Sequence, residues 1–183
     1  ITRERNNFVN EKMALDNLGE NNPWYYEMQE LGFNYRASDI HCALGLSQLE
    51  KLDQFIKLRH NLALHYDKAL KSFSPIIKPI SKEKNCSPAF HLYQVLIDFD
   101  KVNFCRSTLI KKLHERGIGS QVHYIPAHKQ PYYMKRYGAL RLPGAEKFYN
   151  KCLSLPLYSD LKFSEIDVVI KALKKLFHTV SDH

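Results

Sequence analysis

Residues 91–125, HLYQVLIDFDKVNFCRSTLIKKLHERGIGSQVHYI, contain the pattern that decides the fold. Residues 91–99 are rich in β-branched and aromatic side chains and end at a polar turn, which predicts a strand. Residues 104–116 repeat apolar side chains at helical spacing and stop at Gly117, which predicts a helix with a glycine C-cap. A second strand is expected in IGSQVHYIP, residues 118–126. The order strand, helix, glycine, strand is typical of an α/β or α+β unit.

Upstream of this unit, the sequence predicts a long helix from Ser38 to about Phe73. The pattern does not decide whether this helix breaks in the middle. Ser38 is expected to be the N-cap, and Asp39 complements the helix dipole in the first turn. The helix repeats apolar side chains at steps of three and four residues, which defines one apolar stripe. These side chains are Ile40, Ala43, Leu44, Leu46, Leu49, Leu52, Phe55, Ile56 and Leu58. Three prolines then predict a loop over residues 72–90, with a short edge strand around residues 76–77.

The remaining pattern completes a small sheet packed with helices. Residues 128–138, HKQPYYMKRYG, are predicted to form a loop with an aromatic cluster, and residues 144–153 a short helix. LSLPLY, residues 153–158, is expected to be extended. Residues 164–178 predict a closing amphipathic helix with Ser164 as its cap.

Composition restricts the class of protein. The chain has 183 residues, 44% of them hydrophobic and 12% aromatic, which supports a packed core rather than disorder. Its four cysteines form no C-x-x-C pair, so a zinc ribbon or a redox motif is not indicated. No apolar run approaches the roughly 18 residues of a membrane helix. The charged first residues contain no signal peptide, and the chain lacks an initiator methionine. We therefore expect a soluble, cytoplasmic chain that begins inside a longer protein or after processing.

The net charge of +8 fits an anionic partner. One alternative is a stand-alone basic module that binds nucleic acid, in which tyrosines would stack on bases. Against this, the lysines are spread along helical stretches and no RNA-binding motif occurs. The sequence also lacks G-x-S-x-G, P-loop and G-x-G-x-x-G patterns. It therefore shows none of the usual motifs of hydrolases, NTPases or dinucleotide-binding proteins.

Two segments are candidates for ligand binding. The first is Asn34, Tyr35 and Arg36, because an amide, a guanidinium and the free N–H groups of a helix start suit a phosphate. The alternative is an ordinary surface turn before a capped helix. The second is SQVHYIPAHKQPYY, residues 120–133, whose flat amphipathic side chains suit a sugar or a base. The alternative there is a loop packed on its own core through the tyrosines. This segment also contains His123 and His128, but without a nearby carboxylate or thiol two histidines make a poor metal site.

Four blocks in this order resemble a known family. They are GFNYRASDIHCALGLSQLEKLDQFI (residues 32–56), HLYQVLID (91–98), GIGSQVHYIPAHKQPYY (117–133) and LPGAEKFYNKCLSLPLYSDL (142–161). They are similar to the DegT/DnrJ/EryC1/StrS sugar aminotransferases, from about residue 24 onward. Within the family, the third block looks most like the transaminases of pseudaminic acid biosynthesis.

The resemblance implies the C-terminal part of a fold type I enzyme that uses pyridoxal phosphate and works as a homodimer. Such enzymes move an amino group from glutamate to C4 of a 4-keto UDP-sugar. Residues 1–36 would end the large cofactor-binding domain, and residues 37–183 would form the connecting helix and the small α+β domain. The family's lysine that holds the cofactor lies upstream in a "SFHP-x-K" block. That block and the aspartate that pairs with the pyridine nitrogen are both absent from these 183 residues. The fragment alone would therefore be inactive.

The resemblance also assigns site residues. The asparagine of the family's NYR pattern, here Asn34, reaches into the neighbouring subunit's site toward the cofactor phosphate or the substrate. Tyr35 and Arg36 complete that cofactor-binding loop, although Arg36 is also suited to bracing it. A purely structural dimerisation domain, in which the NYR loop and the long helix serve only dimer contacts, is a further alternative. The family's substrate loop matches six consecutive residues here. They are Gly119, Ser120, Gln121, Val122, His123 and Tyr124.

Overall fold

The computed structural model describes residues 2–33 and 35–178, apart from the side chains of Glu11 and His178. The chain divides into two compact units, Ile1–Ser47 and Gln48–His183. The helices are α1 (Glu11–Ala14), α2 (Asp39–Leu49), α3 (Leu52–Ala69), α4 (Arg106–His114), α5 (Pro131–Tyr137), α6 (Pro143–Lys151) and α7 (Phe163–His178). Short 3₁₀ turns are formed by Arg5–Asn7, Leu70–Phe73, Phe99–Lys101 and Ala127–Lys129. The strands are β1 (Ile77–Pro79), β2 (Tyr93–Ile97) and β3 (Cys152–Leu155).

The second unit is built on a three-stranded antiparallel sheet in the order β1-β2-β3. The central strand β2 alternates, with Tyr93, Val95 and Ile97 buried and the residues between them half-buried. Strand β3 is buried along its whole length because both of its faces are covered. The register pairs Val95 with Leu153 and Gln94 with Ser154, so each pair shares one face of the sheet.

The core lies on the face that carries Tyr93, Val95 and Ile97. Helix α7 packs against α3 and α4, and their apolar side chains cover this face. Full burial of each such aliphatic side chain contributes about 1.5–3 kcal/mol. The core consists of Leu62, Ala63, Tyr66, Leu70, Phe73, Ile77, Tyr93, Val95, Ile97, Leu109, Leu113, Ile118, Leu153, Leu155, Leu161, Ile166, Val169, Ile170, Ala172, Leu173, Leu176 and Phe177. The sequence prediction of a small α+β unit, a sheet packed with helices, is confirmed.

The long predicted helix is two helices followed by a 3₁₀ turn. It breaks between α2 and α3, where the backbone N–H of Lys51 donates to the carbonyl of Gln48, three residues back, at 3.1 Å. The predicted apolar stripe does not form one buried face. In α2, Ile40 is 81% exposed and Leu44 60% exposed, so the apolar side chains of this helix face outward. The buried face of α3 lies further along, at Leu62, Ala63 and Tyr66.

Three local predictions are wrong. Residues 118–126 do not form a strand: among the described residues, this segment pairs with the sheet only through an isolated bridge between Gln121 and Ser154. The predicted loop 128–138 contains α5, which begins at Pro131. Ser164 does not cap the last helix, because α7 already begins at Phe163. By contrast, the short edge strand expected near residues 76–77 is confirmed as β1.

One carboxylate in the first unit, that of Glu27, connects two separate stretches of its chain. Glu27 accepts hydrogen bonds from the backbone N–H groups of Val9 at 2.8 Å and Asn10 at 2.7 Å, and from the Tyr25 hydroxyl at 2.7 Å. These donors, first of all the Val9 N–H, hold the pKa of Glu27 below its ordinary value. The proposed domain boundary after residue 36 remains a prediction.

Two further properties follow from the described part of the chain. Within residues 2–33 and 35–178, no helix combines the length and apolarity needed to cross a membrane. Over the same residues, no group of three or more histidine, cysteine, aspartate or glutamate side chains is arranged to hold a metal ion.

Candidate functional site

The predicted cofactor loop lies at the start of α2, in the first unit. Asn34 lies outside the described residues. The ring of Tyr35 is 86% exposed and stacks on Phe33 at 5.2 Å between ring centroids, and Arg36 is also exposed. Ser38 caps the helix as predicted: its Oγ accepts the backbone N–H of His41 at 3.4 Å, and its carbonyl accepts that of Cys42 at 2.9 Å. The first N–H groups of α2 and the Arg36 guanidinium therefore lie on one exposed segment, a donor set that suits an anion.

The predicted substrate segment, residues 119–124, lies beside the outer edge of β3 in the second unit. The backbone N–H of Ser154 donates to the Gln121 carbonyl at 2.8 Å, and the Gln121 N–H donates to the Ser154 carbonyl at 3.3 Å. The Val122 N–H donates to the Gln121 side-chain oxygen at 2.9 Å. The Oγ of Ser120 is buried and has no hydrogen-bond partner in the described part of the chain. The backbone of the segment thus pairs with β3 at one residue, Gln121.

Two side chains from neighbouring strands hold His123. Its ring Nδ1 lies 2.8 Å from Ser154 Oγ, and the side-chain amide of Gln94 donates to the His123 carbonyl at 2.9 Å. The ring of Tyr124 meets the His123 ring edge-on, with 4.6 Å between centroids, and Tyr124 is 70% exposed. The segment therefore presents one fixed imidazole and one accessible phenol ring next to each other.

A surface cleft of about 500 Å³ begins at this segment. Gly119 lies on one side of it, and Tyr158 and Glu165 lie on another. A Cβ placed on Gly119 would meet no atom within 4 Å, so the backbone here is open to a ligand group in the cleft. The cleft gives a ligand direct access to the peptide groups at the start of the segment.

His128 connects the 3₁₀ turn Ala127–Lys129, which follows the substrate segment, to helix α6. Its Nε2 lies 3.4 Å from the Glu146 carboxylate, and the His128 side chain is only 6% exposed. Glu146 also accepts the backbone N–H of Leu142 at 3.3 Å and lies 3.7 Å from the Lys129 ammonium. The Leu142 N–H, followed by His128 and Lys129, holds the pKa of Glu146 below its ordinary value. His128 therefore stabilises the loop that follows the substrate segment.

The tyrosines of α5 lie on the surface. Tyr132 is 63% exposed, Tyr133 43% and Tyr137 60%. Tyr133 and Tyr137 stack at 6.3 Å with nearly parallel rings, and Arg136 donates to the Tyr132 hydroxyl at 2.9 Å. The alternative in which this region packs on its own core through the tyrosines is wrong, because these rings remain accessible.

Sequence reasoning missed the two residues that hold His123. Ser154 and Gln94 are the polar residues inside LSLPLY and HLYQVLI, two otherwise apolar extended stretches. A polar side chain within a buried strand needs a hydrogen-bond partner, and this was the available signal. The partner, His123, is 31 residues away from Ser154 and could not be named without the strand register.

One cysteine outside both segments has an unusual environment. The Sγ of Cys105 precedes α4 and lies 2.9 Å from the Ser107 hydroxyl and 3.3 Å from the Thr108 hydroxyl. These hydrogen bonds, that from Ser107 first, stabilise the thiolate and lower the pKa of the Cys105 thiol to about 6. Cys152 is buried, and burial raises the pKa of its thiol.

The family is decided by a match to a family model. Residues 2–174 match the model described as the DegT/DnrJ/EryC1/StrS aminotransferase family. The chain belongs to this family. The match includes both candidate segments and all three strands of the sheet, so the family resemblance of the four sequence blocks is confirmed.

Individual relatives agree with this membership. The chain is 34% identical over 157 residues to a UDP-4-amino-4,6-dideoxy-N-acetyl-beta-L-altrosamine transaminase of Campylobacter jejuni, a match that covers 86% of this chain and 41% of that protein. The structure superposes on PseC of Helicobacter pylori, an aminotransferase involved in the biosynthesis of pseudoaminic acid, with a TM-score of 0.76. The two are 30% identical, over 87% of this chain and 43% of PseC.

The structure also superposes on the PLP form of Spr1654 of Streptococcus pneumoniae, which is described as a putative sugar aminotransferase. The TM-score is 0.72. Spr1654 is 25% identical, over 86% of this chain and 40% of that one. The chain spans about 40% of the length of the curated relatives it matches. The fold of this family's aminotransferases is therefore shown for the second unit's helices and small sheet.

Proposed function

We propose that this chain is the C-terminal portion of a nucleotide-sugar aminotransferase that depends on pyridoxal phosphate. The complete protein would move an amino group from glutamate to C4 of a UDP-4-keto-6-deoxy-N-acetylhexosamine, as in pseudaminic acid biosynthesis. The observation that carries the proposal is the similarity to the altrosamine transaminases over most of this chain. The third sequence block, residues 117–133, also resembles the transaminases of pseudaminic acid biosynthesis, which supports the same substrate class.

The cofactor loop fits the phosphate end of pyridoxal phosphate. Arg36 and the N–H groups at the start of α2 supply positive and donor groups on an exposed segment. Asn34 would add an amide donor from the neighbouring subunit, and Tyr35 a flat ring beside it. When bound, the cofactor supplies the electron sink and carries the amino group between the two substrates. The residues of this chain would bind and orient its phosphate.

The covalent anchor of the cofactor is proposed to lie in polypeptide upstream of Ile1. None of the lysines in these 183 residues stands in a "SFHP-x-K" type block. We therefore assign no catalytic residue to this chain and expect it to be inactive by itself. The complete enzyme would be a cytoplasmic homodimer with a site shared between subunits.

The sugar would bind along residues 119–124. The open backbone at Gly119 offers a peptide donor and acceptor to a hydroxyl or acetamido group, whereas the N–H groups of Gln121 and Val122 are already hydrogen-bonded within the chain. Tyr124 offers an exposed ring to the face of a sugar or a uracil, and His123 offers a ring nitrogen. These residues would orient the substrate rather than take part in proton transfer.

The test is an assay of the complete protein with pyridoxal phosphate, glutamate and a UDP-4-keto-6-deoxy-N-acetylhexosamine. The expected products are 2-oxoglutarate and the 4-amino sugar nucleotide, detected by mass spectrometry. The matching UDP-sugar with a hydroxyl at C4 is the control and should not react. Absence of turnover in the complete protein, or equal turnover by the 183-residue chain alone, would contradict the proposal.

A purely structural dimerisation role is the second candidate, because α2 exposes apolar side chains. Replacing Asn34 with alanine in the complete protein separates the two roles. The ligand role predicts weaker cofactor binding with an unchanged dimer. A structural role predicts unchanged cofactor affinity.

A further inference from the structure

We propose that Ser154 is a positioning residue that acts through His123 to orient its ring toward the sugar of the nucleotide sugar. This inference rests on the proposed function for the ligand, but its structural part rests on the sheet alone. Ser154 is a buried polar residue, at 4% exposure, between two core leucines of β3. Such a residue carries a desolvation cost unless its hydroxyl is hydrogen-bonded.

The hydroxyl finds that partner in His123. Ser154 Oγ and His123 Nδ1 are 2.8 Å apart, a good hydrogen-bond distance. Leu153 and Leu155, the neighbours of Ser154 on β3, belong to the core. Since side chains alternate along a strand, Ser154 points to the opposite face of the sheet. The serine thus holds the histidine on the face that the hydrophobic core does not occupy.

A second side chain fixes the same residue from the next strand. Gln94 is the register partner of Ser154, so both side chains are on one face of the sheet. The Gln94 amide donates to the His123 carbonyl at 2.9 Å, while Ser154 holds the ring. The His123 backbone is therefore hydrogen-bonded to β2, and its ring is hydrogen-bonded to the neighbouring strand β3. A binding group whose rotamer is held in this way loses little conformational freedom when a ligand arrives.

The hydrogen bond also determines what the ring can offer. A neutral imidazole has one donor and one acceptor nitrogen, and a partner at one nitrogen selects the role of the other. With Nδ1 engaged by Ser154, Nε2 is left for a ligand, and in the described part of the chain it has no hydrogen-bond partner. A sugar hydroxyl or acetamido group, which both donates and accepts, is the matching ligand chemistry. Ser154 thereby makes His123 a specificity-determining contact.

The experiment compares Ser154→Ala with Cys152→Ala in the complete, cofactor-loaded protein. Cys152 is a matched control because it is buried on the same strand, two residues away and on the same face, and has no hydrogen bond to His123. We expect Ser154→Ala to raise KM for the keto-sugar nucleotide about fivefold, as for the loss of one neutral hydrogen bond. We expect kcat to change little. Cys152→Ala should leave KM within about twofold of the wild type.

Two further measurements distinguish positioning from general stability. In a His123→Ala background, Ser154→Ala should add no further increase in KM, because the residue through which it acts is gone. Ser154→Thr, which keeps the hydroxyl, should restore most of the affinity. An equal effect of Ser154→Ala with and without His123, or an equal effect of Cys152→Ala, would overturn the inference.

A spectroscopic measurement tests the structural part without turnover. With ¹⁵N-labelled histidine in the complete protein, the fixed ring of His123 should give separate signals for its protonated and bare nitrogens. Ser154→Ala should move these signals toward the average of two exchanging tautomers. Unchanged signals would overturn the positioning role. If the wild-type protein shows these separate signals but no aminotransfer, the proposed function fails and the hydrogen bond stands.

Discussion

Replacing Tyr93 with phenylalanine removes one hydroxyl from the centre of the second unit. Tyr93 is 3% exposed, and its hydroxyl donates to the Asp67 carboxylate at 2.7 Å. Its ring stacks on Tyr66 with 4.5 Å between centroids. Asp67 also pairs with the Lys82 ammonium at 3.2 Å. The substitution therefore keeps the stacked ring, opens no cavity of ring size and leaves the carboxylate with a partner.

The expected cost follows from the lost hydrogen bond. A hydrogen bond to a charged group contributes about 1.5–3 kcal/mol. Since Asp67 keeps Lys82, we expect a loss near the lower part of that range, ~2 kcal/mol in the free energy of unfolding. For a chain of this size, that corresponds to a decrease in Tm of about 5 °C.

The pH dependence gives a second, sharper expectation. Burial, followed by the hydrogen bond to Asp67, raises the pKa of Tyr93 above its ordinary value. A raised pKa in the folded state means that stability is complete below the unfolded pKa of about 10 and declines above it. Each such tyrosine costs about 1.4 kcal/mol of stability per pH unit in that range. Burial also raises the pKa of Tyr66, but Tyr66 is present in both proteins, so its effect on stability cancels in the difference between them.

The assay is urea unfolding of the wild type and Tyr93→Phe at a series of pH values from about 8 to about 11. We expect the variant to be less stable at the lower end, and the difference to close by about 1.4 kcal/mol per pH unit above pH ~10. Tyr26→Phe is the control, since Tyr26 is 54% exposed and should show neither effect. A Tyr93→Phe protein as stable as the wild type at the lower end, or a difference that stays constant up to the highest pH, would refute the reasoning.

Three further expectations concern other parts of the chain. Iodoacetamide should alkylate Cys105 at neutral pH about threefold faster than an ordinary exposed thiol, because the larger thiolate fraction outweighs its lower nucleophilicity, and Cys152 slowest, as peptide mass spectrometry can measure; equal rates would contradict the environments described. Glu27→Gln should lower the hydrogen-exchange protection factors of the two amides that the carboxylate binds, and the protection factors of the wild type should fall in the same way as the pH falls through the lowered pKa of Glu27; protection that ignores both changes would show that the carboxylate does not hold these amides. Leu44→Ser should change the free energy of unfolding by less than about 0.5 kcal/mol, whereas Leu62→Ala should cost about 3 kcal/mol in the same urea titration; a large loss for Leu44 would mean that α2 is buried.

Local patterns in the sequence predicted the elements whose signal is complete within one segment. The helices α4 and α7 and the strand β2 follow from their own periodicity, and Ser38 caps α2 because its hydroxyl needs only the next turn. The helix α5 was missed because Pro131 was interpreted as a loop signal, although proline is also favoured at the first position of a helix.

Features that depend on distant residues were not predictable in the same way. A strand was predicted over residues 118–126, but the neighbouring strand β3 has only four residues and its backbone pairs with this segment at Gln121 alone. The fixation of His123 depends on Ser154 and Gln94, which meet only after the register of β2 and β3 is set. Residue types could therefore propose a ligand-binding loop at residues 120–133, and the family resemblance narrowed it to residues 119–124, while the geometry that holds this segment required the structure.

The isolated bridge at Gln121 has a consequence for how this family can diversify. Because only one residue pair extends the backbone pairing of β3 into this segment, residues other than Gln121 and His123 can be exchanged without shifting the register of β1, β2 and β3. If the segment binds the sugar as proposed, selection for a new sugar could act on this short stretch while the register of the sheet is kept. Under the proposed function, exchanging residues 119–124 with those of a relative should therefore alter substrate choice.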